Sequence, residues 1–201
     1  PEILGGCIDL DPASTDIQKD LNLLVSELFN PERETEVAFR QGSRRVARLT
    51  KAGVVEGMRD TLTLDSNASY LITGGVGALG LQVAQYLASQ GACHLVLTGR
   101  SGVSTDDQRT SLQALQDAGV KVEIVAADIS KEKDVKRVIA TAPHLRGIVH
   151  AAGVLDDGML TQQNPDRFAK VAGPKVHGAW HLHRQTLEMP LDFFVLFSSV
   201  A

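Results

Sequence analysis

The sequence predicts a doubly wound α/β fold, with helices on both faces of a parallel sheet, on the strength of two observations. From about residue 69 onward, short apolar runs rich in Val, Leu and Ile alternate with longer segments whose apolar residues recur at helical spacing. A helix-length segment follows each apolar run and supplies the crossover that makes successive strands parallel. The five expected strands are residues 71–73, 94–98, 122–126, 148–151 and 193–197.

Polar residues mark where the expected helices begin. Ser104, with Asp107 three residues later, has the spacing of a capping box, and Ser130 is placed to cap the next helix. Asn164-Pro165 is typical of an N-cap followed by the first helical turn. The helix after it should be disturbed at Gly173-Pro174, because proline lacks the N–H group that a helix interior uses.

The first 50 residues or so have a different pattern and are predicted to form a separate region. Asp16 is placed to cap a helix that runs to about Phe29 and carries apolar residues on one face. Residues 36–40 and 45–49 are predicted to be the two strands of a hairpin. We interpret the arginines of this hairpin as solvated surface groups rather than as a binding patch. Residues 51–68 are predicted to be a connector.

The composition argues against several classes of function. The formal net charge is −4, from 20 Lys and Arg against 24 Asp and Glu, and both signs are mixed along the chain. We therefore expect neither nucleic acid nor an anionic membrane as a partner. No apolar run reaches the ~20 residues that a membrane-spanning helix needs.

The cysteines, the histidines and the chain ends lead to three further expectations. Cys7 and Cys93 lie far apart without metal-ligand spacing, which favours a reducing, cytoplasmic location over a disulfide framework. His177 and His181 are four residues apart, but no acid accompanies them as in metal-binding helix motifs, so we expect no metal. The chain begins without Met and stops inside an apolar stretch, so we interpret it as a segment of a longer polypeptide.

A glycine-rich turn follows the first strand of the second region. Gly75, Gly77 and Gly80 have the spacing G-x-G-x-x-G, which lets the backbone approach a pyrophosphate at a helix N-terminus. Because the motif follows a strand and opens an amphipathic helix, we predict a Rossmann-type dinucleotide site rather than a turn that only packs helix on strand. The predicted phosphate loop consists of Thr73, Gly74, Gly75, Val76, Gly77, Ala78, Leu79 and Gly80.

The end of the second strand predicts which cofactor binds. NAD sites usually carry an acid there, whereas this strand is followed by Arg100 and Ser101. A guanidinium suits a 2′-phosphate, so we predict NADPH rather than NADH; the alternative is an ordinary surface arginine. Asp128 is predicted to accept a hydrogen bond from the adenine amino group; the alternative is a loop acid. The predicted cofactor site also includes Ile129, Ala151, Ala152 and Gly153.

Five segments occur together and in order: 71–80, 97–102, 150–157, 174–183 and 197–201. Together they closely resemble the ketoreductase domain of modular polyketide synthases, a branch of the short-chain dehydrogenases. Residues 5–10 and 37–42 resemble the end of that family's structural subdomain, a degenerate Rossmann half. The resemblance implies a division into residues 1–64, the remnant of the structural subdomain plus the connector, and residues 65–201, an NADPH-binding catalytic subdomain that is incomplete at its C-terminus.

The resemblance implies reduction of a β-ketoacyl thioester carried on the phosphopantetheine of an acyl carrier protein, with the other domains of the synthase as further partners. In that family a hydride passes from the nicotinamide to the β-carbonyl carbon. A Ser and a Tyr bond the carbonyl oxygen, and the Tyr supplies the proton. A Lys bonds the nicotinamide ribose and lowers the pKa of the Tyr.

Two of these catalytic residues can be placed on the chain. The resemblance assigns the Ser to Ser199, with Ser198 as the adjacent alternative, and the Lys to Lys175, for which the alternative is a solvated helix lysine. The Tyr, and the Asn four residues after it, should lie beyond Ala201. The two tyrosines present stand in other places, so the predicted activity belongs to the parent domain.

The Leu155-Asp156-Asp157 segment resembles the mark of B-type ketoreductases, which form a D-configured β-hydroxyl. Leu155 and Asp157 are therefore expected to direct substrate approach; the alternative for Asp157 is a helix-capping acid. Three other functions stay open: a catalytically silent structural ketoreductase, an NADPH-sensing Rossmann module, and a fatty acid synthase ketoreductase.

Overall fold

The computed structural model describes residues 6–30, 32, 34–51 and 63–199. The chain divides into two compact units, residues 1–59 and 60–201. Most of the predicted connector and the last two residues of the chain lie outside the described residues. The assignment of residues 1–64 to a structural subdomain stays a prediction.

The first unit contains a small sheet and one helix: β1 (Cys7–Asp9), α1 (Ile17–Leu28), β2 (Glu36–Arg40) and β3 (Ser43–Val46). The strand order is β1-β2-β3, with β1 parallel and β3 antiparallel to β2. The Asp16 carboxylate accepts a hydrogen bond from the Lys19 N–H at 3.0 Å, which confirms the predicted cap.

The hairpin forms, but its second strand begins two residues earlier than predicted. Gln41 and Gly42 both have positive φ, 53° and 79°. Positive φ at both central residues is the mark of a two-residue hairpin turn, which brings Ser43 opposite Arg40. The short strand β1 was not predicted.

The second unit is a five-stranded parallel sheet in the order β6-β5-β4-β7-β8, which confirms the doubly wound fold. Its elements are β4 (Ser69–Thr73), α2 (Ala78–Ser89), β5 (His94–Gly99), α3 (Asp106–Asp117), β6 (Lys121–Ala126), α4 (Glu132–Ala140), β7 (Leu145–His150), a 3₁₀ turn (Leu160–Gln162), α5 (Pro165–Ala172), a π-helical segment (Gly173–Gly178), α6 (Ala179–Thr186) and β8 (Phe193–Leu196). The chain runs outward from β4 to β6 and then returns to β7. The strand order therefore reverses between β4 and β7, where open α/β sheets bind their ligands.

Each face of the sheet has its own core, because successive strand residues point to opposite faces. Tyr70, Leu95 and Leu97 belong to one buried cluster, and Leu71 and Ile148 to the other. Burying each of these leucine and isoleucine side chains contributes about 1.5–3 kcal/mol. Tyr70 is fully buried, stacks on a phenylalanine and accepts a hydrogen bond from a backbone N–H, so it belongs to the core.

Two of the three helix caps predicted for the second unit are wrong. The capping box of α3 starts one residue later than predicted: Thr105 Oγ1 accepts from the Gln108 N–H at 3.2 Å, and Gln108 Oε1 accepts from the Thr105 N–H at 3.0 Å. Ser130 does not cap α4, because its hydroxyl donates to Asp128 at 2.7 Å. The predicted cap of α5 is confirmed, since Asn164 accepts from the Arg167 N–H at 3.0 Å.

The disturbance predicted at Gly173-Pro174 is also confirmed. The helix that starts at Pro165 widens into the π-helical segment before it resumes as α6. A π-helical turn inside a longer helix is uncommon and is found frequently at functional sites. This segment carries Lys175.

Candidate cofactor and active site

A cleft of about 560 Å³ opens at the carboxyl ends of the central strands. Its size is in the range of small-molecule sites. The phosphate loop, the loops after β5, β6 and β7, and the start of the π-helical segment supply its walls. Ten of the predicted cofactor residues line it: Gly74, Val76, Gly77, Arg100, Ser101, Asp128, Ile129, Ala151, Ala152 and Gly153.

Close packing explains why the phosphate loop needs glycine. Gly74 has φ of 69°, and a Cβ on it would lie 2.8 Å from the backbone N of Ala152. A Cβ on Gly80 would lie 2.6 Å from the Cα of Gly75, so α2 could not approach the loop with any larger residue there. The five phosphate-loop residues that do not line the cleft are Thr73, Gly75, Ala78, Leu79 and Gly80.

The start of α2 fits a phosphate group. Gly77 is the N-cap residue and offers no side-chain acceptor to the first N–H groups of the helix. These N–H groups have no partner inside the helix either, and the positive end of the helix dipole adds to their attraction for an anion.

Arg100 stands at the mouth of this cleft and is exposed. Within the described part of the chain, no hydrogen bond or ion pair engages its guanidinium. A second phosphate close to the ribose would therefore not have to displace a carboxylate from it.

Gln108 is a cleft residue that the sequence analysis missed. Its Nε2 donates to the carbonyl oxygen of Val76 at 2.9 Å, and its Oε1 accepts from the Ser104 N–H at 2.7 Å. One amide thus joins the loop that carries Arg100 to the phosphate loop. The only local signal was a Gln three residues after a Thr.

Asp128 lines the cleft in an ionised state. Its Oδ1 accepts from both the hydroxyl and the N–H of Ser130, at 2.7 and 3.1 Å. The hydroxyl bond is the main cause of a lowered pKa of Asp128. A carboxylate has further lone pairs, so Asp128 can still accept a bond from an amino group.

The structure brings Lys175 and Ser199 to the same edge of the sheet. Lys175 Nζ donates to the carbonyl oxygen of Phe197, two residues before Ser199, at 3.3 Å. Lys175 also passes Gly153, where an added Cβ would lie 3.0 Å from the lysine Cε. Lys170, one turn earlier, is instead paired with Asp156 at 2.9 Å.

Asp156 fixes the Leu-Asp-Asp segment to the rest of the fold. Its carboxylate accepts from Arg167 Nε at 3.0 Å and from Lys170, and these two bonds, that of Lys170 first, lower the pKa of Asp156. Arg167 also donates to the backbone oxygen of Asp157 at 2.7 Å. The side chains of Leu155 and Asp157 stay exposed. In the structure Asp157 does not cap the 3₁₀ turn, which begins at Leu160.

Neither a metal site nor a membrane span is found in the described ranges. Those residues hold no group of three or more His, Cys, Asp or Glu side chains placed to bind a metal ion. None of their helices is both long enough and apolar enough to cross a bilayer.

Comparison with known proteins shows to which family the chain belongs. The model of the KR domain family matches residues 68–201, two thirds of the chain. The chain belongs to the KR domains, the ketoreductase domains of polyketide synthases. The Rossmann-type fold predicted from the sequence is therefore confirmed at the level of the family.

Relatives and solved structures agree with this assignment. A 6-methylsalicylic acid synthase of Arthrobotrys oligospora is 36% identical over 99% of this chain, and the polyketide synthase GfsA of Streptomyces halstedii is 38% identical over 88%. A structure of A-type ketoreductases from a modular polyketide synthase covers 97% of the chain at 33% identity with a TM-score of 0.65. The first ketoreductase of the tylosin synthase covers 98% at 34% identity with a TM-score of 0.63.

The ketoreductase chain spans only a small part of these proteins. It covers 12% of the Arthrobotrys synthase and 2% of GfsA. It covers 41% and 42% of the two solved chains.

Proposed function

We propose that this ketoreductase domain reduces a β-ketoacyl thioester to the β-hydroxyacyl thioester with NADPH during polyketide chain elongation. The observation that carries the proposal is that residues of the phosphate loop and Arg100 line one cleft, while Lys175 lies against Gly153 in the wall of that cleft. The substrate would arrive on the phosphopantetheine of an acyl carrier protein, within a synthase whose other domains are further partners. The two unpaired cysteines fit a cytoplasmic location.

The cleft residues fit the phosphates, the adenine and the ribose of an NADPH molecule. The first turn of α2 would hold the pyrophosphate, Arg100 and Ser101 the 2′-phosphate, and Asp128 the adenine amino group. Ile129 and the Ala151–Gly153 segment would form the walls beside the adenine and the ribose. When bound, NADPH supplies the hydride.

Lys175 and Ser199 would act on the reacting groups. The hydroxyl of Ser199 would donate a hydrogen bond to the β-carbonyl oxygen, where negative charge develops. The ammonium of Lys175 would bond the nicotinamide ribose and favour proton loss from the Tyr that the family resemblance places beyond Ala201. That Tyr, as the general acid, would protonate the oxygen.

Turnover by the parent domain tests the proposal. NADPH oxidation is followed with a short β-ketoacyl thioester, with NADH in parallel. We expect turnover that strongly prefers NADPH and a D-configured β-hydroxyl product. Tight NADPH binding without turnover on several thioesters would instead support a structural or NADPH-sensing domain, and absence of binding would contradict the phosphate-loop assignment.

Asp157 is proposed to direct substrate approach without taking part in proton transfer. The Asp157→Ala variant should lower the D-to-L ratio of the product by about tenfold or more. The variant removes a carboxylate as hydrogen-bond acceptor, and a hydrogen bond to a charged group is worth about 1.5–3 kcal/mol. Since Asp156 holds the backbone of the segment, the thermal midpoint should not change. Chiral analysis of the product measures the ratio.

Glu188→Ala is the matched control for Asp157→Ala. It removes an exposed acid that lies before β8, at the amino ends of the strands, whereas Asp157 follows the carboxyl end of β7. An unchanged product ratio in Asp157→Ala, or an equal change in Glu188→Ala, would reject the stereocontrol role.

A further inference from the structure

A row of buried polar side chains runs beneath the cleft. Thr73 stands between Thr98 on β5 and His150 on β7, in register with both. All three are buried, with exposures of 0%, 0% and 3%. Thr73 Oγ1 lies 2.6 Å from His150 Nδ1, and His150 Nε2 lies 2.9 Å from the carbonyl oxygen of Pro174.

The partners of His150 determine where its proton lies. The Pro174 oxygen can only accept a hydrogen bond, so Nε2 carries the proton and donates it. The lone pair of Nδ1 then accepts from the Thr73 hydroxyl. Burial lowers the pKa of His150; the hydrogen bond to Pro174 opposes this effect and the charge of Lys175 adds to it, so the net shift favours the neutral ring.

His150 thus connects the end of β7 to the π-helical segment at the residue before Lys175. The segment packs against His150 a second time, since a Cβ on Gly178 would lie 3.5 Å from the imidazole Cε1 and 2.8 Å from Ile129 Cγ2. These two contacts flank Lys175 in sequence. They fix the backbone from which the lysine reaches Gly153 and Phe197.

We propose that His150 is a positioning residue that holds the π-helical segment in place and thereby places the Nζ of Lys175 in the active site. The inference rests on the proposed catalytic role of Lys175. A displacement of about 1 Å at a catalytic group, caused by a change elsewhere, can cost about 100-fold in rate. His150 is not expected to touch substrate or cofactor.

Three substitutions at His150 in the parent domain separate its two contacts. The amide nitrogen of Gln can replace Nε2 and reach Pro174, the shorter Asn can replace only Nδ1, and Phe replaces neither. We expect kcat to fall about 10- to 100-fold in His150→Asn and His150→Phe, with KM for NADPH within about twofold. His150→Gln should retain kcat within about threefold.

His94 provides a matched control at the amino ends of the strands. It bonds Ser69 at 2.7 Å across β4 and β5, in register, as His150 bonds Thr73 across β4 and β7. His94→Asn should affect the thermal midpoint in the same way as His150→Asn while leaving kcat within about twofold.

The outcomes distinguish this inference from the proposed function. An unchanged kcat in folded His150→Asn, or an equal loss of kcat in His150→Gln, overturns the positioning role. If His150→Phe does not fold, the comparison of Asn with Gln still decides. If Lys175→Met retains full kcat, the catalytic role of Lys175 fails instead.

Discussion

Replacing Lys175 with Met in the parent domain should lower kcat for thioester reduction by about 10²- to 10³-fold. Acid–base groups and the charges that tune them contribute on this scale. Lys175 Nζ reaches the end of β8, two residues from Ser199, so its charge lies where the reacting groups would meet. The phosphate loop and Arg100 stay intact, so NADPH should still bind. Steady-state kinetics and a binding titration measure the two effects separately.

Two other lysines serve as controls for Lys175→Met. Lys133 is an exposed lysine of α4, and Lys133→Met should leave kcat unchanged. Lys170 lines the cleft, but its ammonium pairs with Asp156. A larger loss of kcat in Lys170→Met than in Lys175→Met would transfer the catalytic role to Lys170.

Arg100→Ala should raise the Kd of NADPH by about 10- to 100-fold and leave the Kd of NADH nearly unchanged. Hydrogen bonds to charged groups contribute about 1.5–3 kcal/mol, which corresponds to this range. NADH lacks the 2′-phosphate and loses nothing. Because Arg100 is exposed, added salt should reduce the preference for NADPH in the unsubstituted domain. Fluorescence titration of both cofactors at two ionic strengths measures these effects.

Arg109→Ala is the matched control for Arg100→Ala. Arg109 is an exposed arginine of α3 whose guanidinium pairs with Asp106 on the same helix at 3.3 Å. Its loss should change neither Kd. Equal weakening of NADPH and NADH in Arg100→Ala would mean that the residue shapes the loop rather than binds the 2′-phosphate.

Local sequence patterns predicted most of the fold. The five strands of the large sheet, the phosphate-loop glycines and the disturbance at Gly173-Pro174 all depend on residues that are neighbours in the chain. The errors concern competition between adjacent polar groups. Serine is a residue type that often caps helices, but the hydroxyl of Ser130 bonds Asp128 instead. Thr105 rather than Ser104 has the geometry of the capping box.

The residues missed in the site depend on contacts between distant parts of the chain. Gln108 bonds Val76, 32 residues away, and His150 bonds Pro174, 24 residues away. The spacing of Thr105 and Gln108 predicts a capping box but not the bond to Val76, and no local pattern distinguishes such a His from the polar end of a strand. Only the fold identifies them.

The bond between Gln108 and Val76 determines which segment should be exchanged to change the cofactor preference. The residues that would bind the 2′-phosphate lie in the loop after β5, but the side chain that ties this loop to the phosphate loop lies in the first turn of α3. A transplant that ends at Ser104 would leave its new loop dependent on the host's helix. A transplant that continues through Gln108 carries its own attachment, so we expect residues 99–108 to be exchanged together.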